Sequence, residues 1–188
     1  EPRIAHRAEQ HRVRAAGQTV LLHLPMEPLS YPVNDPGQGA LYVSLSPEEI
    51  RRRVDKFLES MPGIAGVNNH MGSKFTEDEP GMRVVLERLK AARLFFLDSG
   101  TSGKSCGPRV ARELGVPVAQ NQFFLDVSTQ PADVAAALEQ VRAAAHRDGS
   151  AIAIGHVHWR ATAEALAAAV PKFREDGVEF VPVSALVR

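Results

Sequence analysis

The sequence alternates short apolar runs with longer amphipathic segments, and this alternation constrains the fold more than any other feature. Each apolar run has the length of a single strand, and the segments between the runs repeat apolar residues at helical spacing. Such alternation is typical of βα units, in which a helix carries the chain from one parallel strand to the next. The sequence therefore predicts an α/β fold with a parallel sheet.

The predicted elements cover most of the chain. Helices are predicted over 3–16, 47–60, 76–93, 107–114, 131–146 and 161–173, with Pro171 kinking or shortening the last one. Strands are predicted over 19–24, 94–97, 116–119, 123–125, 151–155 and 178–182. Residues 25–45 are rich in proline and glycine, which indicates a long loop with a function of its own, or a lid, rather than a simple connector.

Composition excludes several classes of protein. The 188 residues suffice for one domain over 1–188, and 22 Lys and Arg balance 22 Asp and Glu, so no net charge favours nucleic acid. The single cysteine, Cys106, rules out an intrachain disulfide and a metal site built from thiolates. No apolar run approaches the roughly 18 residues of a membrane span. Metal ligands in this chain would therefore be His, Asp or Glu.

Polar side chains suited to metal binding or proton transfer stand where the apolar runs end. They are His23, His70, Asp98, Asp126, His156, His158 and Ser184. Because parallel strands present their carboxyl ends at one edge, these residues are expected to gather there as a site. If strand 151–155 continues to residue 158, His156 and His158 share a face and could share a metal. Otherwise one histidine is structural and the other is exposed.

Histidine and carboxylate side chains are the ligand set of a catalytic zinc or a similar divalent ion. Such an ion activates water near neutral pH, and nearby side chains could take and give the protons. The run 98–105 ends in Gly-Lys-Ser but lacks the first glycine of a phosphate-binding loop. Its small residues, Ser99 among them, favour close approach of a polar substrate instead. The residues therefore predict metal-assisted hydrolysis.

Four stretches of sequence extend this interpretation. They are LLHLPMEP over 21–28, GVNNHMGSKFT over 66–76, FFLDS over 95–99 and IGHVH over 154–158, and their order and spacing span nearly the whole chain. Together they resemble the divergent polysaccharide deacetylase family, a distant branch of the carbohydrate esterases. The resemblance implies a distorted (β/α) barrel of about seven strands, with a metal site made from an aspartate and histidines.

The resemblance also implies roles for individual residues. The implied ligands of a divalent metal such as zinc are His70, His156 and His158. The implied catalytic residues are Asp98, His23 and Glu27. The implied carbohydrate-binding residues are Asn68, Asn69 and Ser99. Alternatives stay open within these sets, since His23 and Glu27 could position substrate or cap a strand end. The two asparagines could instead hold His70 in place.

The activity implied is removal of an acetyl group from an N-acetylated polysaccharide or a peptidoglycan-type glycan, in the periplasm or outside the cell. One alternative is a non-catalytic carbohydrate-binding or cell-envelope scaffold protein on the same barrel. Another is a metal-dependent hydrolase of a different bond, such as a phosphoester or a peptide amide.

One feature of the family has no match in the sequence. Its members begin with a strand that ends in an Asp-Asp pair, which would supply a metal ligand and a general base. This sequence opens on the predicted helix over 3–16 instead. Either the first βα unit lies outside this sequence or this member lacks it, and the missing pair favours the non-catalytic alternative.

Overall fold

The computed structural model describes residues 16–128, 130–156 and 158–188. These residues form two compact units. The first unit comprises the described residues up to Gln120 together with Pro182–Arg188, and the second comprises Asn121–Val181. The predicted helix over 3–16 lies outside the described residues except for its last position. The interpretation as one domain over 1–188 stays a prediction.

The first unit contains a four-stranded sheet. Its strands, in spatial order, are β1 (Leu21–Met26), β2 (Gly66–Met71), β3 (Phe95–Asp98) and β4 (Val118–Gln120). Its helices are α1 (Pro47–Ser60), α2 (Glu79–Ala91) and α3 (Gly107–Leu114). All neighbouring strands pair in parallel, and one helix follows each of the first three strands. This arrangement confirms the predicted α/β fold with a parallel sheet.

Side-chain caps mark the starts of α1 and α2. Ser46 caps α1 by accepting a hydrogen bond from the backbone N–H of Glu49. Asp78 caps α2 in the same way through the N–H of Gly81, so this helix begins later than predicted. Thr76, the predicted start, instead donates its hydroxyl to a backbone carbonyl of the preceding turn.

Side chains along β1 alternate between the core of the first unit and a polar face of its sheet. His23 lies on the face opposite the core, because successive side chains of a strand point to opposite sides. The register pairs His23 with Asn68 and Pro25 with His70, so the same face of β2 carries Asn68 and His70. The side chains of β1 that are buried in the core are Leu22, Leu24 and Met26.

The second unit is smaller and has a core of its own. It contains the parallel strands β5 (Phe123–Phe124) and β6 (Ala153–Ile154) and the helices α4 (Pro131–Asp148) and α5 (Arg160–Glu175). The buried side chains of its core are Leu125, Val134, Leu138 and Phe173. Strand β6 ends at Ile154, so the possible extension of the strand to residue 158 was wrong.

Two further predictions about the second unit were wrong. Helix α5 continues through Pro171 to Glu175, and Phe173 of its last turn is buried, so Pro171 does not shorten the helix. The kink at Pro171 stays a prediction. The strand predicted over 178–182 is irregular backbone. Phe180 and Val181 are exposed there, so these apolar residues do not belong to a buried strand.

The described residues form six strands in two separate sheets, whereas the family resemblance implied about seven strands. The distorted barrel stays a prediction. In the part of the chain that the structure describes, no helix is long and apolar enough to cross a membrane.

Candidate functional site

His23 and His70 meet on the polar face of β1 and β2. Nδ1 of His70 lies 3.0 Å from Nε2 of His23, and the two ring centroids lie 4.8 Å apart. One of these nitrogens can donate a proton to the other. Two nitrogen ligands of one zinc ion, each about 2.0–2.1 Å from the metal, are also separated by about 3 Å. The pair can therefore share a proton or bind a divalent ion through these nitrogens.

Asn69 holds the turn that follows His70. Met71 has φ +53° and Gly72 has φ +85°, so two successive residues adopt left-handed backbone conformations. For a residue such as Met71 this conformation is strained. The side-chain amide of Asn69 donates to the Met71 carbonyl at 2.7 Å, and the Thr101 hydroxyl donates to the same carbonyl at 2.9 Å. These bonds stabilise the end of β2 and thereby position His70.

Ser99 is hydrogen-bonded to both asparagines of β2. Its backbone N–H donates to Oδ1 of Asn69 at 2.8 Å, and its hydroxyl donates to the Asn69 carbonyl at 2.7 Å. The side-chain amide of Asn68 donates to the Ser99 hydroxyl at 3.1 Å. Asn69 and Ser99 are buried, whereas Asn68 is half-buried. Of the three residues predicted to bind carbohydrate, Asn68 therefore has the most accessible side chain.

Asp98 is fully buried at the end of β3. Its Oδ1 accepts from the backbone N–H of Gly100 at 2.7 Å, and its Oδ2 accepts from the hydroxyl of Ser105 at 2.5 Å. A Cβ at Gly107 would lie 3.2 Å from Oδ2, so the start of α3 approaches the carboxylate closely. Asp98 thus orders the loop between β3 and α3, and its role as a base stays a prediction.

Glu27 is buried where β1 ends and connects two loops. Its Oε1 accepts from Nζ of Lys74 at 2.7 Å, and its Oε2 accepts from the backbone N–H of Val43 at 2.8 Å. Its backbone carbonyl also accepts from the N–H groups of Lys74 and Phe75. Glu27 therefore binds the loop after β1 to the loop after β2, and its catalytic role stays a prediction.

Asp126 and His156 form a doubly hydrogen-bonded pair in the second unit. Oδ1 of Asp126 lies 2.8 Å from Nδ1 of His156, and Oδ2 accepts from the backbone N–H of His156 at 2.5 Å. Thr162 donates its hydroxyl to Oδ2 at 3.0 Å. The Asp126 side chain is 1% exposed, whereas the His156 ring is 48% exposed. A buried carboxylate thus holds an accessible imidazole.

The charge of Asp126 determines which nitrogen of the His156 ring carries a proton. Burial alone would raise the pKa of Asp126, but the hydrogen bonds from His156 and Thr162 outweigh burial and lower that pKa below its ordinary value of 3.8. The ionised carboxylate can only accept, so Nδ1 of His156 carries a proton. Nε2 is then the ring atom that can accept a proton or bind a metal.

His158 lies beside His156, with ring centroids 5.5 Å apart. Within the described residues of either unit, no group of three or more His, Cys, Asp or Glu side chains is arranged to hold a metal ion. His70 belongs to the first unit, and His156 and His158 belong to the second. Their assignment as metal ligands stays a prediction.

Asp126 stands at the end of an apolar run in the sequence, but the sequence alone predicts no role for it. The missing information was its partner, since His156 lies 30 residues further along the chain. The available signal was position, because Asp126 follows β5 and His156 follows β6, and these strands pair in parallel. Two polar residues after paired parallel strands are expected to meet.

Known proteins similar to this chain come from several bacteria. The chain is 40% identical over 143 residues to the uncharacterized protein YibQ of Escherichia coli (strain K12), covering 76% of the chain and 44% of that protein. It is 38% identical over 154 residues to an uncharacterized protein of Haemophilus influenzae (strain ATCC 51907 / DSM 11121 / KW20 / Rd), covering 80% of the chain and 53% of that protein. The chain thus spans about half the length of these curated relatives.

A solved structure and a family model cover more of the chain. The crystal structure of uncharacterized protein ATU2773 from Agrobacterium tumefaciens C58 superposes with a TM-score of 0.90 at 26% identity, covering 95% of this chain and 72% of that one. The family model for divergent polysaccharide deacetylase matches residues 2–187. This match confirms the resemblance carried by the four stretches of sequence. The chain belongs to the divergent polysaccharide deacetylase family.

Proposed function

We propose that this chain is a metal-dependent hydrolase that removes the acetyl group from an N-acetylated glycan of the chitin or peptidoglycan type. The observation that carries the proposal is the Asp126–His156 pair, in which a buried carboxylate orients an accessible imidazole. This arrangement suits an acid–base residue in amide hydrolysis. Because such glycans are envelope components, the proposed location is the periplasm or the cell exterior.

The proposed metal is zinc or a similar divalent ion, which when bound would polarise the acyl carbonyl and promote ionisation of water. His23 and His70 are the residues best suited to hold it, since their nitrogens lie 3.0 Å apart. Neutral imidazoles are good zinc ligands, and the sequence predicts the same role for His70. Asn69 would position His70 for this role through the turn that it holds.

His156 is proposed to move the proton during hydrolysis. Within the second unit, its Nε2 is placed to take a proton from a water molecule whose oxygen attacks an amide carbon. It can then give that proton to the leaving nitrogen as the C–N bond breaks. Asp126 keeps Nδ1 protonated and stabilises the imidazolium that exists between the two transfers. Within the first unit, Asn68, half-buried beside Ser99, is proposed as a residue that hydrogen-bonds carbohydrate.

The test separates metal binding from proton transfer. We expect His70→Ala to lower zinc affinity, measured by competition with a chromophoric chelator, and to lose acetate release from chito-oligosaccharides. We expect His156→Ala to retain zinc and to lower kcat by about 10²–10⁴-fold. Loss of zinc by His156→Ala would instead support the sequence-based role of His156 as a ligand.

The matched control is His146→Ala. His146 is a half-exposed histidine of the second unit, and its Nε2 lies 3.8 Å from a carboxylate oxygen of Asp176. This variant should retain both zinc and activity, because its imidazole is placed on the surface of α4. Glycan binding that is insensitive to chelator, without release of acetate, would contradict the proposed hydrolysis and favour a carbohydrate-binding protein.

A further inference from the structure

Trp159 is the single tryptophan of the chain, and its placement is not explained by helix stability. It is the N-cap residue of α5 and makes no side-chain capping hydrogen bond. Ser, Thr, Asp and Asn are preferred at that position, because their side chains satisfy the first N–H groups of a helix. A large aromatic residue that departs from such a local preference is a candidate for a functional role.

The surroundings of Trp159 connect it to the acid–base pair. Its indole ring lies 4.8 Å from the ring of His158, which in turn lies 5.5 Å from the ring of His156. Its backbone N–H donates to the carbonyl of His156 at 3.1 Å, and its carbonyl accepts from the N–H of Thr162. Trp159 is therefore hydrogen-bonded directly to His156, which Asp126 holds in turn.

The indole ring is also accessible. Trp159 is 41% exposed, although an aromatic side chain of this size gains much from burial. Val127, which directly follows Asp126, is 88% exposed. Exposed apolar side chains next to the polar pair fit the composition of a ligand site, which combines apolar contact area with a few oriented polar groups.

We propose that Trp159 is the sugar-stacking residue of this site, with its indole face against the apolar face of an N-acetylated pyranose ring. The C–H groups on one face of such a ring suit the electron-rich face of an indole, and the indole N–H can donate to a ring hydroxyl. The inference rests on the proposed function, which it deepens by naming a residue that recognises the glycan. It makes Trp159 a binding residue with no part in proton transfer.

Because Trp159 is the only tryptophan, its fluorescence reports directly on this site. We expect a saturable change in tryptophan emission when the zinc-loaded protein is titrated with an N-acetylated chito-oligosaccharide. We expect no such change with a glucose oligomer of equal length. An unchanged emission with an oligosaccharide that the protein hydrolyses would overturn the role of Trp159 and leave the proposed function standing.

Variants complete the test. Trp159→Ala should raise KM about tenfold with little change in kcat, and Trp159→Phe should restore most of the affinity. The control Phe180→Ala removes another exposed aromatic of the same unit, stacked on Phe173, and should leave KM unchanged. An unchanged KM in Trp159→Ala would contradict the proposal. Saturable emission changes without acetate release would support Trp159 and refute hydrolysis.

Discussion

Oδ2 of Asp126 accepts from two groups of the second unit, the backbone N–H of His156 and the hydroxyl of Thr162. An amide in place of this carboxylate would direct an NH2 group at one of the donors around it. We expect Asp126→Asn to lower activity by about 10–100-fold and stability by about 2 kcal/mol. Kinetics and urea unfolding measure the two effects.

The control for this variant is Asp133→Asn, because the carboxylate of Asp133 also accepts a hydroxyl hydrogen bond, from Ser128, but on the surface. Asp133→Asn should lower the free energy of unfolding by less than about 1 kcal/mol and leave activity unchanged. Equal effects of the two substitutions would show that Asp126 has no special role.

Gly155 precedes His156 and leaves no room for a side chain. A Cβ there would lie 2.8 Å from Cγ2 of Thr162 and 3.3 Å from Cδ1 of Leu125. We expect Gly155→Ala to destabilise the protein by about 1–3 kcal/mol and to reduce activity, because Thr162 is pushed away from Asp126. Gly103→Ala is the matched control, since nothing lies within 4 Å of its added Cβ. Thermal unfolding that ranks the two variants equally would argue against this packing.

The two neighbouring asparagines of β2 should respond differently to alanine. Asn69→Ala leaves the buried N–H of Ser99 without its acceptor and loosens the turn at Met71, so we expect a loss of about 2–3 kcal/mol in urea unfolding. Asn68→Ala should lower the free energy of unfolding by less than about 1 kcal/mol, since its half-buried side-chain amide donates to the Ser99 hydroxyl at 3.1 Å and supports no buried backbone group. Its effect should appear in KM for the glycan. A larger loss of stability in Asn68→Ala than in Asn69→Ala would contradict this account, because Asn68 would then be the structural residue.

Glu49, which lies on α1 near the loop after β1, makes a pH-dependent contribution to the stability of the fold. Hydrogen bonds from Arg52 and then Arg53 lower the pKa of Glu49 from 4.5 to about 2. Arg53 also donates to the carbonyl of Ala40, which binds α1 to that loop. A lowered carboxyl pKa stabilises the fold above the unfolded pKa, and this contribution is lost as pH falls toward the folded pKa.

The stability difference between wild type and Glu49→Gln should therefore be constant above pH 4.5 and shrink as pH falls from 4.5 to about 2. Denaturant unfolding across that range measures it. Added salt should also reduce the difference, because Arg52 is exposed to solvent and Glu49 is only half-buried. A difference that grows on acidification would contradict the assignment.

The fold was predictable where local chemistry determines it. Helix α3 has the predicted boundaries 107–114, since Pro108 favours its first turn and Gly115 ends it in a left-handed conformation. Strand β2 was missed, because Asn68, Asn69 and His70 interrupt its apolar character. Asn68 bonds Ser99, which directly follows β3, and His70 contacts His23 of β1. Both contacts depend on the order of the strands in the sheet.

The contacts of the predicted site residues could not be derived from the sequence. His23 and His70 are 47 positions apart, and only the parallel pairing of β1 with β2 brings their rings together. Asp98 was predicted to stand at a strand end, but its hydrogen bonds to Gly100 and Ser105 in the loop that follows it were not predicted. Burial and loop geometry decide such partners, and neither can be read from spacing.

The central claim is that this chain hydrolyses the acetamide bond of an N-acetylated glycan with the aid of a metal. Acetate released from a chito-oligosaccharide, measured against the free amines formed by the same sample, tests it most directly. We predict equal amounts of the two products with the zinc-loaded protein and neither product after chelation. Zinc-loaded protein that forms no acetate from N-acetylated chitin-type or peptidoglycan-type substrates would contradict the claim.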